Sequence, residues 1–409
     1  MDSNTIGAHL RQARNERGLT QEELAERAGV SRDIIAKLEQ GTRESARITT
    51  LTKLANALGI TVSALLGHGA HLADLPTTSP RRPEDIPDTP YPTTATIGAL
   101  LPAAASRTPA SPEMADACSA LTRDYRRLDA LAGPAAVYAQ AAGHQAWLAD
   151  WMAQAVRGQQ REIAALYADA TILLAWLNFD LERHTQAIAL YRECGDVADQ
   201  IEDTSLRAFL AGRQARTLSE AGRHDEALNH AEAARQLATA SASPQLRSWL
   251  AITRAYIHAC LGDDYACRAS IASAHAALDK LAPTEAPPYL AFYGPSYARK
   301  WEGHALLKLG SVRRDALASG RTAIDAALNT WAPDDIRESG EVLAACAAAR
   351  RAQQEIPEAA SLAAQAWQVA ATTSSPRIMR YVLQLRRDLA PYRDVNAVRE
   401  LDDLILGAG

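Results

Sequence analysis

Apolar positions recur along this chain with the period of a helix and not of a strand. In "TQEELAERAGVSRDIIAKLEQG" they fall at Leu24, Ala28, Val30, Ile35 and Leu38, with polar residues between. That spacing gives each of two short helices one apolar stripe. Thr20 and Glu23 form a T-x-x-E box suited to the start of the first helix, and Ser31 suits the N-cap of the second. Gly29 stands where the connecting turn needs a positive φ. Ala25 leaves room for two helices that cross steeply. These are the requirements of a helix-turn-helix, and each one is met.

Beyond position 112 the helical pattern acquires a longer period. "RQARTLSEAGRHDEALNHAEAARQLA" places small or apolar residues at Ala215, Leu218, Gly222, Ala227, Ala231 and Ala234. Forty residues on, Ala255, Gly262, Cys267, Ile271 and Ala274 repeat the layout; forty residues back, Ala187 and Tyr191 do so, with Glu182 in place of the glycine. Gly310 and, with one extra residue, Ala316 continue the series. Each unit reads as a helix, a tight turn and a second helix that presents small residues, and such units stack into a solenoid. Between the two patterned regions, nine of the 19 prolines fall between positions 76 and 112, which predicts an extended tether. The predicted organisation is all-α, with a helix-turn-helix domain over 1–67, a Pro-rich linker over 68–112 and a helical repeat domain over 113–409.

Composition fits that picture. Hydrophobic residues are 47% and charged residues 22% of the 409, and the formal net charge is −5. A chain that is basic overall is excluded, but a local DNA-reading patch is not. The five cysteines include no C-x-x-C pair and are odd in number, which fits buried thiols in a reducing cytoplasm and not a disulfide framework. No signal peptide is legible, and no stretch reads as a membrane span.

The segment from Leu10 to Gly41, with "ITTLTKLANALGITVSALL" after it, resembles the five-helix, lambda-repressor-like DNA-binding domain of the Xre/Cro phage-repressor family. In that family the second helix of the motif lies in the major groove of double-stranded DNA. The resemblance implies Arg32, Asp33 and Lys37 as base readers, and Gln21, Ser31, Thr42, Arg43 and Arg47 as phosphate contacts. It also implies that Arg14 and Glu39 pin the first helix to the recognition helix. Residues 1–66 carry nine cations and eight acids. A head that nets about +1 binds phosphates weakly, so a homodimer on a two-fold-related operator is expected. The C-terminal stripe Val395, Val398, Leu401 and Ile405 suits either a dimer seam or a cap on the solenoid.

The repeats resemble the tetratricopeptide type. The combination is similar to the peptide-pheromone-responsive regulators and, more closely, to actinobacterial regulators of related architecture. On that register a concave face would carry Ile172, Trp176, Phe179, Arg213, Arg216, Tyr256, Lys300 and His304. They suit a groove for a peptide or small-molecule effector, and equally an inter-repeat core with solvated cations. H-E-x-x-H, G-x-S-x-G and phosphate-loop signatures are absent, and the ten histidines have no ligand spacing, so neither an enzyme nor a cofactor or metal is expected. The chain therefore reads as a cytoplasmic, DNA-binding transcriptional regulator with a sensing domain. The alternative is a tetratricopeptide scaffold with a vestigial head.

Overall fold

The computed structural model describes residues 6–40, positions 50, 54, 57 and 58, and residues 111–407 apart from 156–157, 239–241, 282–285 and 312. The described elements are helices, with no strand among them. The chain divides into two compact units, Met1–Ser79 and Pro80–Gly409.

In the first unit α1 (Ile6–Glu16), α2 (Gln21–Ala28) and α3 (Arg32–Glu39) surround a small core. Leu10, Leu24, Ile35, Leu38, Leu54 and Leu58 are fully buried in it. Glu23 and Thr20 close a capping box at the start of α2, and Gly29 ends that helix at φ 59°. Gly7 is required by a close approach, since a Cβ there would lie 2.0 Å from the Leu38 carbonyl oxygen.

The second unit begins with α4 (Pro112–Ala132), capped by the Ser111 side chain, and α5 (Pro134–Ala153). Hairpins follow: α6 (Gln160–Asp180) with α7 (His184–Gln200), α8 (Thr204–Glu220) with α9 (His224–Leu237), and α10 (Pro244–Cys260) with α11 (Asp264–Leu278). Next come α12 (Pro295–Leu309) with α13 (Arg314–Thr330), α14 (Ile336–Ala352) with α15 (Ile356–Thr373), and α16 (Pro376–Leu389) with α17 (Asn396–Gly407). The small positions read from the sequence are where the second helices meet the first: Ala187, Ala227, Cys267 and Ala316 all have 0% exposure, and the structure adds Ala359 in the following hairpin, also at 0%. Gly222 and Gly262 turn at φ 77°, and Glu182 takes φ 62° at the equivalent place. Gly310 instead keeps a right-handed φ of −57°, as the extra residue before Ala316 requires.

α6 is the central core helix, with Ile163, Tyr167, Ile172, Leu174 and Phe179 all buried. It is also long and apolar enough to cross a membrane by length and composition, a property the sequence reading did not credit to any segment; here that apolarity serves burial inside the repeat domain. The C-terminal stripe is likewise used internally. Val398 and Leu401 of α17 are buried against α15, with Val395 and Ile405 half-buried beside them. The stripe caps the last hairpin and so is not a free seam.

The series of hairpins curves until its two ends meet. α4 packs on α14 and α15. Gly133, at φ 85°, lies so close to α15 that a Cβ would stand 1.7 Å from the Thr373 carbonyl oxygen. Arg337 of α14 donates to Asp129 of α4 at 3.0 Å and to Asp180 of α6 at 3.2 Å. Arg377 of α16 reaches the same Asp180 at 2.7 Å, and Arg380 reaches Glu182 at 2.7 Å. Glu182 therefore occupies a turn position that favours glycine because its carboxylate makes one of these closing contacts.

Candidate nucleic-acid interface and the cavities of the repeat domain

The exposed face of α3 carries Arg32, Asp33 and Lys37. Asp33 and Lys37 pair along the helix at 2.7 Å, and Arg32 pairs with Glu22 of α2 at 2.9 Å. All four side chains are more than half exposed, so these pairs are weak and exchangeable. Ser31 has the extended geometry of an N-cap, yet its hydroxyl makes no capping hydrogen bond, leaving it at the helix N-terminus facing solvent. Thr42, Arg43 and Arg47 lie outside the described residues.

Behind that face α3 is held by a buried carboxylate. Glu39, 7% exposed, accepts from Arg14 at 2.7 and 3.0 Å and from the Gln21 side chain at 2.8 Å. Arg11 donates to the Glu39 carbonyl. Burial pushes the Glu39 carboxyl up, but the hydrogen bonds from Arg14 and Gln21 and the charges of Arg14 and Arg11 outweigh it, so its pKa lies below the ordinary range. The Gln21 amide, expected at a phosphate, is engaged inside the domain, while its backbone still opens α2.

The sequence of this head matches a helix-turn-helix family model over residues 10–65. It is 44% identical over 63 residues to the immunity repressor protein of Bacillus phage phi105, covering 15% of this chain and 43% of the repressor. It is 42% identical over 55 residues to a helix-turn-helix-type transcriptional regulator of Sinorhizobium fredii, covering 13% of this chain and 70% of that protein. Over 50 residues it is 52% identical to one from Methanothermobacter thermautotrophicus, covering 12% of this chain and 71% of that protein. The chain belongs to the helix-turn-helix regulators. That membership rests on its first domain, and the chain spans less than half of the phage repressor's length.

In this helix-turn-helix regulator the eight groove candidates of the repeat domain separate into three places. Ile172, Trp176 and Arg213 line a cavity of 120 Å³ together with Arg126 and Asp129 of α4 and Arg337 of α14. Tyr289 and Phe292 close it from the segment before α12. Tyr256 and His304 line a second cavity, of 350 Å³, with Trp301, Glu341, Arg380 and Tyr381. Phe179, Arg216 and Lys300 are buried wall residues, Lys300 with 0% exposure.

The cations of this face are not solvated. Lys300 donates to Glu338 at 2.5 Å and Glu341 at 2.7 Å; Arg377 reaches Glu338 at 2.6 Å and Glu341 at 3.0 Å. Arg216 pairs with Glu220 at 2.6 Å and stacks 3.3 Å from the Trp301 ring centre. Burial pushes the Asp129 carboxyl up to about 6, and neighbouring Asp180 and Glu338 add to this against the pull of Arg337. Burial and the cations Lys300 and Arg216 hold His304 down at about 3, so it is neutral at physiological pH.

Tyr289 and Phe292 are lining residues that the repeat register does not single out. Their signal is the break in the repeat: Cys267 to Ala316 spans 49 residues in place of 40, and the added stretch is the aromatic "PPYLAFYGPSY".

Proposed function

We propose that the protein is a sequence-specific, DNA-binding transcriptional regulator that reads its operator with α3. The observation that carries this is the face of α3, where Arg32, Asp33 and Lys37 stand exposed on a helix pinned from behind by Arg14, Glu39 and Gln21. Arg32 would take a guanine through two parallel hydrogen bonds, and Asp33 would accept from a cytosine amine. Thr42, Arg43 and Arg47, with Ser31, would contact phosphates. The head nets about +1 over residues 1–66, which supports a homodimer on a two-fold-related operator, since one head neutralises few phosphates. The hairpins, with recurrent buried small residues at Ala187, Ala227, Cys267, Ala316 and Ala359, support a tetratricopeptide-type sensing domain. Its cavities support the binding of an effector.

The test is operator selection from random duplexes followed by titration of the full chain. Arg32→Ala should weaken binding to the selected site by about 1–3 kcal/mol and relax preference at one base pair. Unchanged affinity and unchanged selectivity would remove α3 from the reading role. If no duplex is selected at all, the scaffold reading gains.

A further inference from the structure

The 120 Å³ cavity beneath Tyr289 and Phe292 contains an unbalanced pair of polar groups. Arg213 is 6% exposed, and among the described residues its guanidinium has neither a hydrogen bond nor an ion pair. Its Nε is fully buried without a partner. Rings surround it instead: Phe292 at 4.6 Å, Trp176 and Phe209 at 5.1 Å, and Trp249 at 5.4 Å. Stacking on rings stabilises a guanidinium but satisfies none of its five N–H donors in the plane of the group. The other two arginines on the wall are paired, Arg126 with Asp169 at 2.6 Å and Arg337 with Asp129 at 3.0 Å. Asp129 itself is half satisfied. Its Oδ2 accepts from Trp176 Nε1 and Arg337, both at 3.0 Å, while the buried Oδ1 has no partner.

A buried charge without partners is costly, and both residues line one space. A molecule that completes them needs an anionic group for Arg213, a hydrogen-bond donor for Asp129 Oδ1, and a flat apolar body to lie among Trp176, Phe292 and Tyr297. The charge count sets the anion. One guanidinium is uncompensated, and Asp129, Asp335 and Glu338 also line the wall, so a dianionic phosphate would add repulsion that a carboxylate does not. The size sets the body, because a cavity of 120 Å³ is small beside the usual ligand pocket and suits one ring better than a peptide.

We propose that this cavity binds a small aromatic monocarboxylate bearing a hydroxyl or amino group, held by Arg213 through the carboxylate and by Asp129 through the donor. The assignment deepens the effector reading above and gives it a chemical class. The sequence marks the site through the 49-residue spacing, because the extra stretch supplies the lid aromatics.

The experiment is calorimetric titration of the full chain with 4-hydroxybenzoate, benzoate, benzamide and benzylamine, run beside an operator titration with and without each probe. The expected result is saturable binding of the two carboxylates, with 4-hydroxybenzoate the tighter. Benzamide should bind at least about tenfold more weakly, as loss of a charge-assisted pair implies. Arg213→Met, which keeps the stacking volume, should lose about tenfold or more for the carboxylates while leaving benzamide unchanged. Phe292→Ala, at a 40% exposed position that tolerates truncation, should lose several-fold for all ring probes with the melting temperature retained. Benzamide binding as tightly as benzoate, or no saturation by either carboxylate at about millimolar concentration, overturns the proposal. So does unchanged carboxylate binding in Arg213→Met. Carboxylate binding that leaves operator affinity unchanged keeps the site and overturns the effector reading.

Discussion

Replacing Arg377 with methionine keeps the volume of a fully buried side chain and removes its charge. Arg377 is 1% exposed and contacts Asp180 at 2.7 Å, Glu338 at 2.6 Å and Glu341 at 3.0 Å. None of the three acids is left without a cation, since Arg337 still reaches Asp180 and Glu338, and Lys300 still reaches Glu338 and Glu341. The loss is therefore expected near the lower end of the range for breaking a buried ion pair, about 3–5 kcal/mol. For a domain of this size that is a fall of roughly 5–8 °C in melting temperature. Urea unfolding of the full chain, followed by tryptophan fluorescence, measures it. The pH dependence is a second check. Burial pushes the Glu338 carboxyl up, but Lys300, Arg377 and Arg337 together hold it well below the ordinary range. The stability it contributes is present above the unfolded carboxylate pKa and is lost as pH falls toward the folded value. The gap between wild type and Arg377→Met should thus be full at pH 7 and narrow below about pH 4.5. Adding Glu341→Gln to the variant should recover part of the loss at neutral pH. A loss under about 1 kcal/mol at pH 7, the size of an exposed pair, would refute the reasoning. A gap independent of pH would do the same.

Gly133→Ala places a methyl 1.7 Å from the Thr373 oxygen at a backbone φ of 85°, and thermal melting should show a loss of roughly 2–5 kcal/mol. At Glu182, φ 62°, glycine should be tolerated better than alanine by about 1 kcal/mol in the same assay, because both lose the Arg380 pair and only alanine keeps the strain. Glu39→Gln should destabilise the DNA-binding head by about 1.5–3 kcal/mol at pH 7. Its difference from wild type should shrink as acid protonates Glu39, whose folded pKa lies below the ordinary value. Amide exchange of α1–α3 resolves that loss from the repeat domain.

The head was legible because its constraints are local: a capping box four residues long, a glycine in a turn, and a stripe with the period of one helix. The hairpins were legible for a similar reason, as Ala187, Ala227 and Cys267 stand at a fixed offset and share one role in packing. The meeting of the two ends was not. Asp129 and Arg337 are 208 positions apart, and nothing periodic connects them. For Arg213, Arg216 and Lys300 the sequence admits both groove cations and solvated charges. A charged residue on a helix announces burial only once its partner is known, and the partners sit on other hairpins. Phe179 and Lys300 fell into the wall for the same reason, since neither the depth of a residue nor the curvature of the stack is encoded in one repeat.

The contact of Gly133 with Thr373 and the pairs Asp129–Arg337 and Glu182–Arg380 have a consequence for the history of the chain. In an open stack each unit touches only its neighbours, so a duplication or deletion of one unit lengthens or shortens the protein without disturbing the rest. Where the first and last units touch, copy number becomes a geometric constant. One hairpin more would carry α14 and α16 past α4 and α6, and one fewer would leave them short. Either change would part the buried carboxylates Asp129 and Asp180 and the half-buried Glu182 from their cations at once. Relatives that share the closure should vary in loop length and surface residues, and keep the number of hairpins.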